Sequence, residues 1–289
     1  MTATIDRAPT QINAPTLPSS FIVALRRIPF ELLSFVRETP SLVFNFGYPA
    51  LMYMVFVATG IIDLSTGIMA IPGATDFGFE TYFLPGMIAT GILVATTQEL
   101  GIRVVEERES SALKRLKTTP TTAAAYVGGK LGQVSIMVLG QNIVLLAIAN
   151  LGYDALLPQG AKAWAMYIGM LFLGTLCGSA LGFALAVLLP STRSANGTIV
   201  PVLLILQFFS GVFFPFNQLP EWMQTVAGFF PLRWLASGLR AAFYPEFMTA
   251  MEPGESFQTV TGLVVLAAWT SASIVVALRF FRWMPHDEK

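Results

Sequence analysis

Charge is what this chain has least of. Aspartate, glutamate, lysine and arginine together make up 12% of its 289 residues, about half the usual share in a soluble domain. Apolar residues make up 54%. A surface so poor in charge faces something other than water, and lipid is the medium that suits it. Cysteine and histidine are nearly absent too. The one cysteine, Cys177, excludes a disulfide framework and a cysteine-based metal site. The one histidine, His286, sits near the C-terminus, where a solvated tail residue is expected. The 17 basic and 17 acidic residues cancel, so nothing global argues for a nucleic acid or an acidic ligand.

Catalytic motifs are missing as well. No HExxH zinc motif occurs, and no histidine is placed to serve a nucleophile. No pair of carboxylates lies inside an apolar stretch, which leaves glycosidase-like chemistry without a home. The phosphate-binding pattern GxxxxGK[ST] is absent, so no Walker site is expected on this chain. Carriers coupled to protons or sodium place ionisable groups near the bilayer midplane. The best candidate here, Glu99, lies near the end of its apolar stretch, which argues against ion coupling.

Six apolar stretches are long enough to cross a hydrocarbon core: residues 42–62, 82–102, 126–151, 163–189, 198–216 and 258–280. Helix is the expected state of each, because lipid offers the backbone no hydrogen bonds. Arg7, Arg26, Arg27, Arg37, Arg103, Arg108, Lys114, Arg115, Lys117, Lys130, Arg193, Arg279, Arg282 and Lys289 fall on one set of connections. Only Lys162, Arg233 and Arg240 fall on the other. That asymmetry predicts a multi-pass protein of the cytoplasmic membrane with both termini in the cytoplasm.

The expected organisation is a disordered tail over residues 1–18, an amphipathic interfacial helix over 19–40, a membrane domain over 41–282 and a cytoplasmic tail over 283–289. The interfacial helix carries Phe21, Leu25, Ile28, Leu32 and Phe35 on one face. Arg26, Arg27, Glu31, Ser34 and Arg37 lie opposite, and a kink is expected near Pro29. On the outer side, residues 217–257 are too apolar for an ordinary loop, yet Pro220, Pro231 and Pro245 cut them into pieces too short to cross. Two short helices that dip into the bilayer and return fit this pattern.

Neutral amides supply the polarity inside the spans: Asn45, Gln141, Asn142 and Gln207. They fit interhelical hydrogen bonding, or a translocation path with neutral anchors. Glycines at four-residue spacing, Gly128 and Gly132, then Gly174, Gly178 and Gly182, allow close helix packing.

The charged loop over residues 103–122 is expected to hold a short helix capped by Ser110 or Ser111, with Leu113 and Leu116 on one face. Lys114, Arg115 and Lys117 lie near its C-terminal end, where the helix dipole favours cations, and Thr119-Pro120 ends it. Two leucines on an exposed charged helix suit docking of a partner; a solvated loop is the alternative.

Two stretches carry a family resemblance. ERESSALKRLKTTP, followed by AAYVGGK, resembles the cytoplasmic loop of the permease subunits of type-2 ATP-binding-cassette exporters. FFSGVFFPFNQLPEWMQTVAGFFPLRWLASGLRAAF, residues 208–243, resembles their fifth span and re-entrant region, and the drug-resistance branch is the nearest in pattern. The family commonly has Gly-Thr where this chain has Ser111-Ala112.

The resemblance implies an all-α membrane protein of six spans, with ATP and Mg bound by a separate ATPase and no cofactor on this chain. It implies pairing with a second permease, identical or related, and a hydrophobic or amphiphilic cargo, a polysaccharide or glycolipid being the alternative. In its terms Glu109, Ser111, Leu113, Lys114, Arg115, Leu116 and Lys117 form the coupling helix, with both leucines in a cleft of the ATPase. Phe21, Leu25, Arg26, Arg27, Ile28 and Leu32 flank that contact. Asn45, Gln141, Asn142, Gln207, Phe208, Phe209 and Phe213 are pathway candidates. Leu219, Pro220, Glu221, Trp222, Pro231, Arg233 and Trp234 form an outer gate.

Overall fold

The computed structural model describes residues 19–59, 78–118, 121–245, 248–249 and 252–280. The expected tails, with Arg7, Arg282, His286 and Lys289, and the Thr119-Pro120 stop lie outside the described residues. Every regular element among the described residues is helical.

Helix α1 (Ser20–Arg37) opens with the Ser19 hydroxyl accepting from Ile22 N–H at 3.4 Å. It runs without a break through Pro29, where the sequence suggested a kink. Only Glu38 separates it from α2 (Thr39–Thr59). The second long helix is one continuous body in three parts: α3 (Phe79–Leu93), a π-helical turn over Val94–Glu99, and α4 (Leu100–Glu109). A tight turn comes next, then α5 (Ala112–Lys117). Most of the predicted charged loop is therefore helix: the helix of the second apolar stretch continues past Arg103 to Glu109.

Helix α6 (Ala123–Tyr153) is capped by Thr122 and ends at Asp154 in the left-handed region, φ 54°. Helices α7 (Gly160–Leu188) and α8 (Thr192–Phe209) come after it, the latter capped by the Ser191 hydroxyl accepting from Ser194 N–H at 3.2 Å. The fifth apolar stretch is thus helical six residues earlier than the predicted start at 198. It stops at Phe209 because the chain turns at Ser210 and Gly211, the latter at φ 71°. Two short helices, α9 (Glu221–Phe229) and α10 (Pro231–Phe243), precede α11 (Thr259–Phe280). Pro231 opens α10 at a position where its missing N–H costs nothing.

Among the described residues, five helices are long and apolar enough to cross a membrane: Thr39–Thr59, Phe79–Glu109, Ala123–Tyr153, Gly160–Leu188 and Thr259–Phe280. Helix α8 has 18 residues, about 27 Å of helix at 1.5 Å per residue. Around the buried Phe79–Glu109 helix pack α2, α6, α7, α8 and α10. The glycines set how closely they approach. A side chain at Gly174 would meet Leu235 of α10, and one at Gly182 would come within 2.5 Å of the Thr96 carbonyl oxygen. Gly128 and Gly132 serve α1 instead, lying under Ala24 and Ile28. Helix α10 is buried over its first ten residues, Pro231 to Arg240, wedged among α3, α7 and α11.

Candidate functional site

At the α5 end, charged side chains tie separate helices to the α4–α5 shaft. Arg27 of α1 bonds Glu31 one turn on, through Nε at 3.0 Å and Nη2 at 2.8 Å. Lys130 of α6, fully buried, donates to Glu31 Oε2 at 2.6 Å and also to Glu107 Oε1 of α4. Tyr126 donates its hydroxyl to Glu107 Oε2 at 2.7 Å, and the Arg27 guanidinium lies 5.2 Å from the centroid of its ring. Two cations therefore meet two anions. Burial by itself would raise the Glu31 carboxyl, but Lys130 and Arg27 together hold it below the usual carboxylate range.

The expected polar face of α1 is thereby corrected. Arg27 and Glu31 point into the protein, because Lys130 and Glu107 wait there to neutralise them. The apolar stripe is divided instead: Phe35 is buried, Ile28 and Leu32 are half-buried, and Phe21 (70% exposed) and Leu25 face outward with Arg26.

Further bonds fix α4. Arg103 pairs with Glu38, in the α1–α2 joint, and with Glu99 at 3.3 Å. Arg108 donates to the carbonyls of Ala186 (2.8 Å) and Leu189, satisfying the C-terminal end of α7. Glu109 Oε2 accepts from Thr192 N–H at 2.8 Å and from its hydroxyl at 2.7 Å, at the N-terminal end of α8, where an anion is favoured. The shaft is thus bonded to the α1–α2 joint and to α6, α7 and α8.

Helix α5 corrects two expectations. Ser111 makes no side-chain cap; its backbone sits at φ 60° and its carbonyl accepts from Arg115 N–H at 3.2 Å. A left-handed residue is what the turn demands, and glycine, common here in the family, supplies it without steric cost. Leu113 is 2% exposed and belongs to the chain's own core. It anchors α5 from below and offers nothing to a partner. Leu116 is half-buried against the same core and Arg115 is exposed. Lys114 and Lys117 lie on α5, their side chains outside the described residues.

The amides divide into two pairs. Asn142 accepts from the Tyr167 hydroxyl of α7 at 3.2 Å, and Gln207 of α8 accepts from the Tyr48 hydroxyl of α2 at 2.8 Å. Asn45 and Gln141 are each 1% exposed, and neither side chain has a hydrogen-bond partner among the described residues. Phe213 is buried in a ring series with Phe56 (5.3 Å) and Phe83 (6.0 Å), while Phe208, tilted against Phe213 at 4.8 Å, is exposed. Phe209 meets Trp222 edge-on at 5.5 Å.

At the opposite end, Arg233 and Arg240 of α10 share Glu252. Arg233 Nη2 donates to it at 2.7 Å, Arg240 donates to its second oxygen, and Arg240 also donates to the Gly211 carbonyl. The Arg233 guanidinium lies 3.8 Å from the Phe216 ring centroid. Trp234 is buried and donates to the Gly228 carbonyl at 2.7 Å. Leu219 is half-buried, whereas Pro220, Glu221 and Trp222, at the start of α9, are exposed. The expected gate residues therefore separate into a buried set on α10 and an exposed set on α9.

Sequence reasoning passed over Glu107, Lys130, Tyr126, Arg108 and Glu252 as functional residues. Lys130 had one signal, a lone cation closing the GGK run at the mouth of an apolar stretch.

A crevice of about 420 Å³ lies between α6 and α7, and one of about 480 Å³ between α6, α7 and α11; both include Leu131 and Leu176, and their linings are apolar apart from Ser135 and Thr175.

Long apolar helices, buried neutral amides and ion pairs gathered at the helix ends define a polytopic α-helical membrane protein. Residues 28–244 match the family described as "ABC-2 type transporter". The chain belongs to that family, and it is a type-2 ATP-binding-cassette permease subunit. A Bacillus subtilis (strain 168) protein described as "Putative transport permease YvfS" is 27% identical over 166 residues, 55% of this chain and 64% of that relative. The chain thus covers just under two thirds of the relative's length.

Proposed function

We propose that this chain is the membrane half of an exporter whose ATP is bound, with Mg, and hydrolysed by a separate ATP-binding-cassette ATPase. The α4–α5 shaft carries this reading. It presents Arg115 outward while Leu113 anchors it from below, and its bonds reach the α1–α2 joint, α6, α7 and α8. A partner moving α5 therefore moves the bundle, which is what transport driven from outside the membrane requires. In this reading the α5 end lies in the cytoplasm, as the basic residues indicate, and the membrane is the cytoplasmic one.

The exposed apolar faces of α2 (Phe44, Leu51) and α8 (Leu204, Ile205, Phe208), joined by the Tyr48–Gln207 bond, suit a second permease, identical or related. Export of a hydrophobic or amphiphilic molecule, such as a drug, lipid or metabolite, fits the apolar crevices and the neutral amides. The ring series of Phe56, Phe83 and Phe213 supports this reading over a glycan, because those rings lie in the core or packed against it.

The test is co-purification of an ATP-binding-cassette ATPase from the native membrane. Arg115→Glu combined with Leu116→Asp is expected to release the ATPase while the permease stays inserted. Undiminished ATPase retention by that double variant sinks the α5 docking assignment.

A further inference from the structure

The second long helix departs from α geometry at one place. Val94–Glu99 forms a π-helical turn, buried from Val94 through Gln98, between α3 and the shaft α4. In lipid an uninterrupted α-helix already satisfies every backbone group, so a π turn persists only where its surroundings hold it. Here α7 does so. The Thr97 hydroxyl donates to the Gly178 carbonyl at 3.0 Å, and the Thr96 hydroxyl turns back to the Ile92 carbonyl at 2.6 Å. The backbone beyond sits on glycine: a side chain on Gly182 would strike the Thr96 carbonyl oxygen, and one on Gly101 would come within 3.2 Å of the Gly182 carbonyl oxygen.

A π turn holds one residue more than the α-helix it replaces. Every residue C-terminal to it lies about 100° around the axis, and about 1.5 Å along it, from where a regular helix would put it. Arg103, Glu107, Arg108 and Glu109 all stand C-terminal to this turn, and their bonds tie the shaft to the α1–α2 joint and to α6, α7 and α8. One register therefore sets all of these bonds together.

We propose that the π turn is the register element of the shaft: on nucleotide binding by the ATPase it converts toward α geometry and rotates α4 and α5 against α7. Thr97 is the positioning residue that holds the resting register through Gly178. The idea rests on α5 being the docking helix, and adds how its motion enters the membrane.

The test uses the permease–ATPase complex carrying nitroxide labels at Glu106→Cys and Arg193→Cys, both exposed sites. The distance between labels is measured without nucleotide and with a non-hydrolysable ATP analogue. The wild-type register is expected to give a nucleotide-dependent change on the order of 10 Å, the width of a helix. Deleting Ala95 removes the extra residue and leaves both flanks on their native faces, so this variant is expected to bind the ATPase but show no change. Thr97→Val is expected to shift the nucleotide-free distance toward the bound one, and Thr97→Ser to restore it. The Thr97 pair decides the matter if the deletion fails to insert. An unchanged distance in the parent, or a full change in the Ala95 deletion, overturns the proposal. Failure of the ATPase to co-purify with the parent overturns the docking assignment instead.

Discussion

At the α5 end Arg27 and Lys130 face Glu31 and Glu107, so charge cancels across three helices. At the other end two arginines of a single helix share Glu252. Both clusters remove charge from water, which stabilises a fold only when partners are complete. They differ in what they join. The first connects long helices to a shaft that ends in an exposed helix, and its members come from residues 27 to 130. The second fixes α10, already wedged among its neighbours, to the segment just after it. The lesson is that a cancelled cluster can be redistributed when helices move, whereas an arginine pair on one carboxylate works as a staple.

Removing the shared anion should have the largest effect. Glu252→Ala leaves two buried arginines facing each other and is expected to cost about 4 kcal/mol, the range for breaking a buried ion pair. A thermal midpoint in detergent checks it. An effect near zero would mean that the Phe216 ring and the Gly211 carbonyl suffice for both cations.

Lys130→Met should cost somewhat less, about 3 kcal/mol, because Glu107 keeps the Tyr126 hydroxyl and part of its exposure to water. The same cluster predicts a pH dependence. The Glu31 carboxyl is held below its unfolded value, so its contribution is complete above the ordinary carboxylate pKa of about 4.3 and disappears as pH falls through the lowered value. Midpoints should be level from neutral pH to about 5 and drop below about 4, and Glu31→Gln should shrink that drop. An equal drop in the Gln variant would assign it elsewhere.

The smallest effect belongs to the turn before α5. Ser111→Gly is expected to stabilise by about 1 kcal/mol, because glycine adopts the left-handed backbone without strain. Thermal midpoints in the permease alone would show it.

The long helices were legible because each is a run of apolar residues near bilayer length, which lipid leaves no choice but to coil. The paired short helices before α11 were legible from three prolines in an apolar segment. The faces of short amphipathic pieces were not. Leu113 and Leu116 lie three residues apart in a helix of six, and that spacing reads the same whether the leucines look outward or down. Arg27 and Glu31 form a pair of opposite sign at i and i+4, the usual mark of a solvated face. Their real neighbour, Lys130, is a hundred positions away, where no local pattern reaches. The helix over residues 103–109 was hidden for a related reason: the run of charge from Arg103 looks like departure from the bilayer, yet a helix needs only local bonds to continue beyond it.

Cys177, the one thiol of the chain, is 1% exposed on α7. The native surface is therefore silent toward maleimides and iodoacetamides. A cysteine introduced at Phe30 or Arg115 becomes the single addressable thiol of the molecule, so fluorescence or cross-linking at either site can be read without first rebuilding the scaffold.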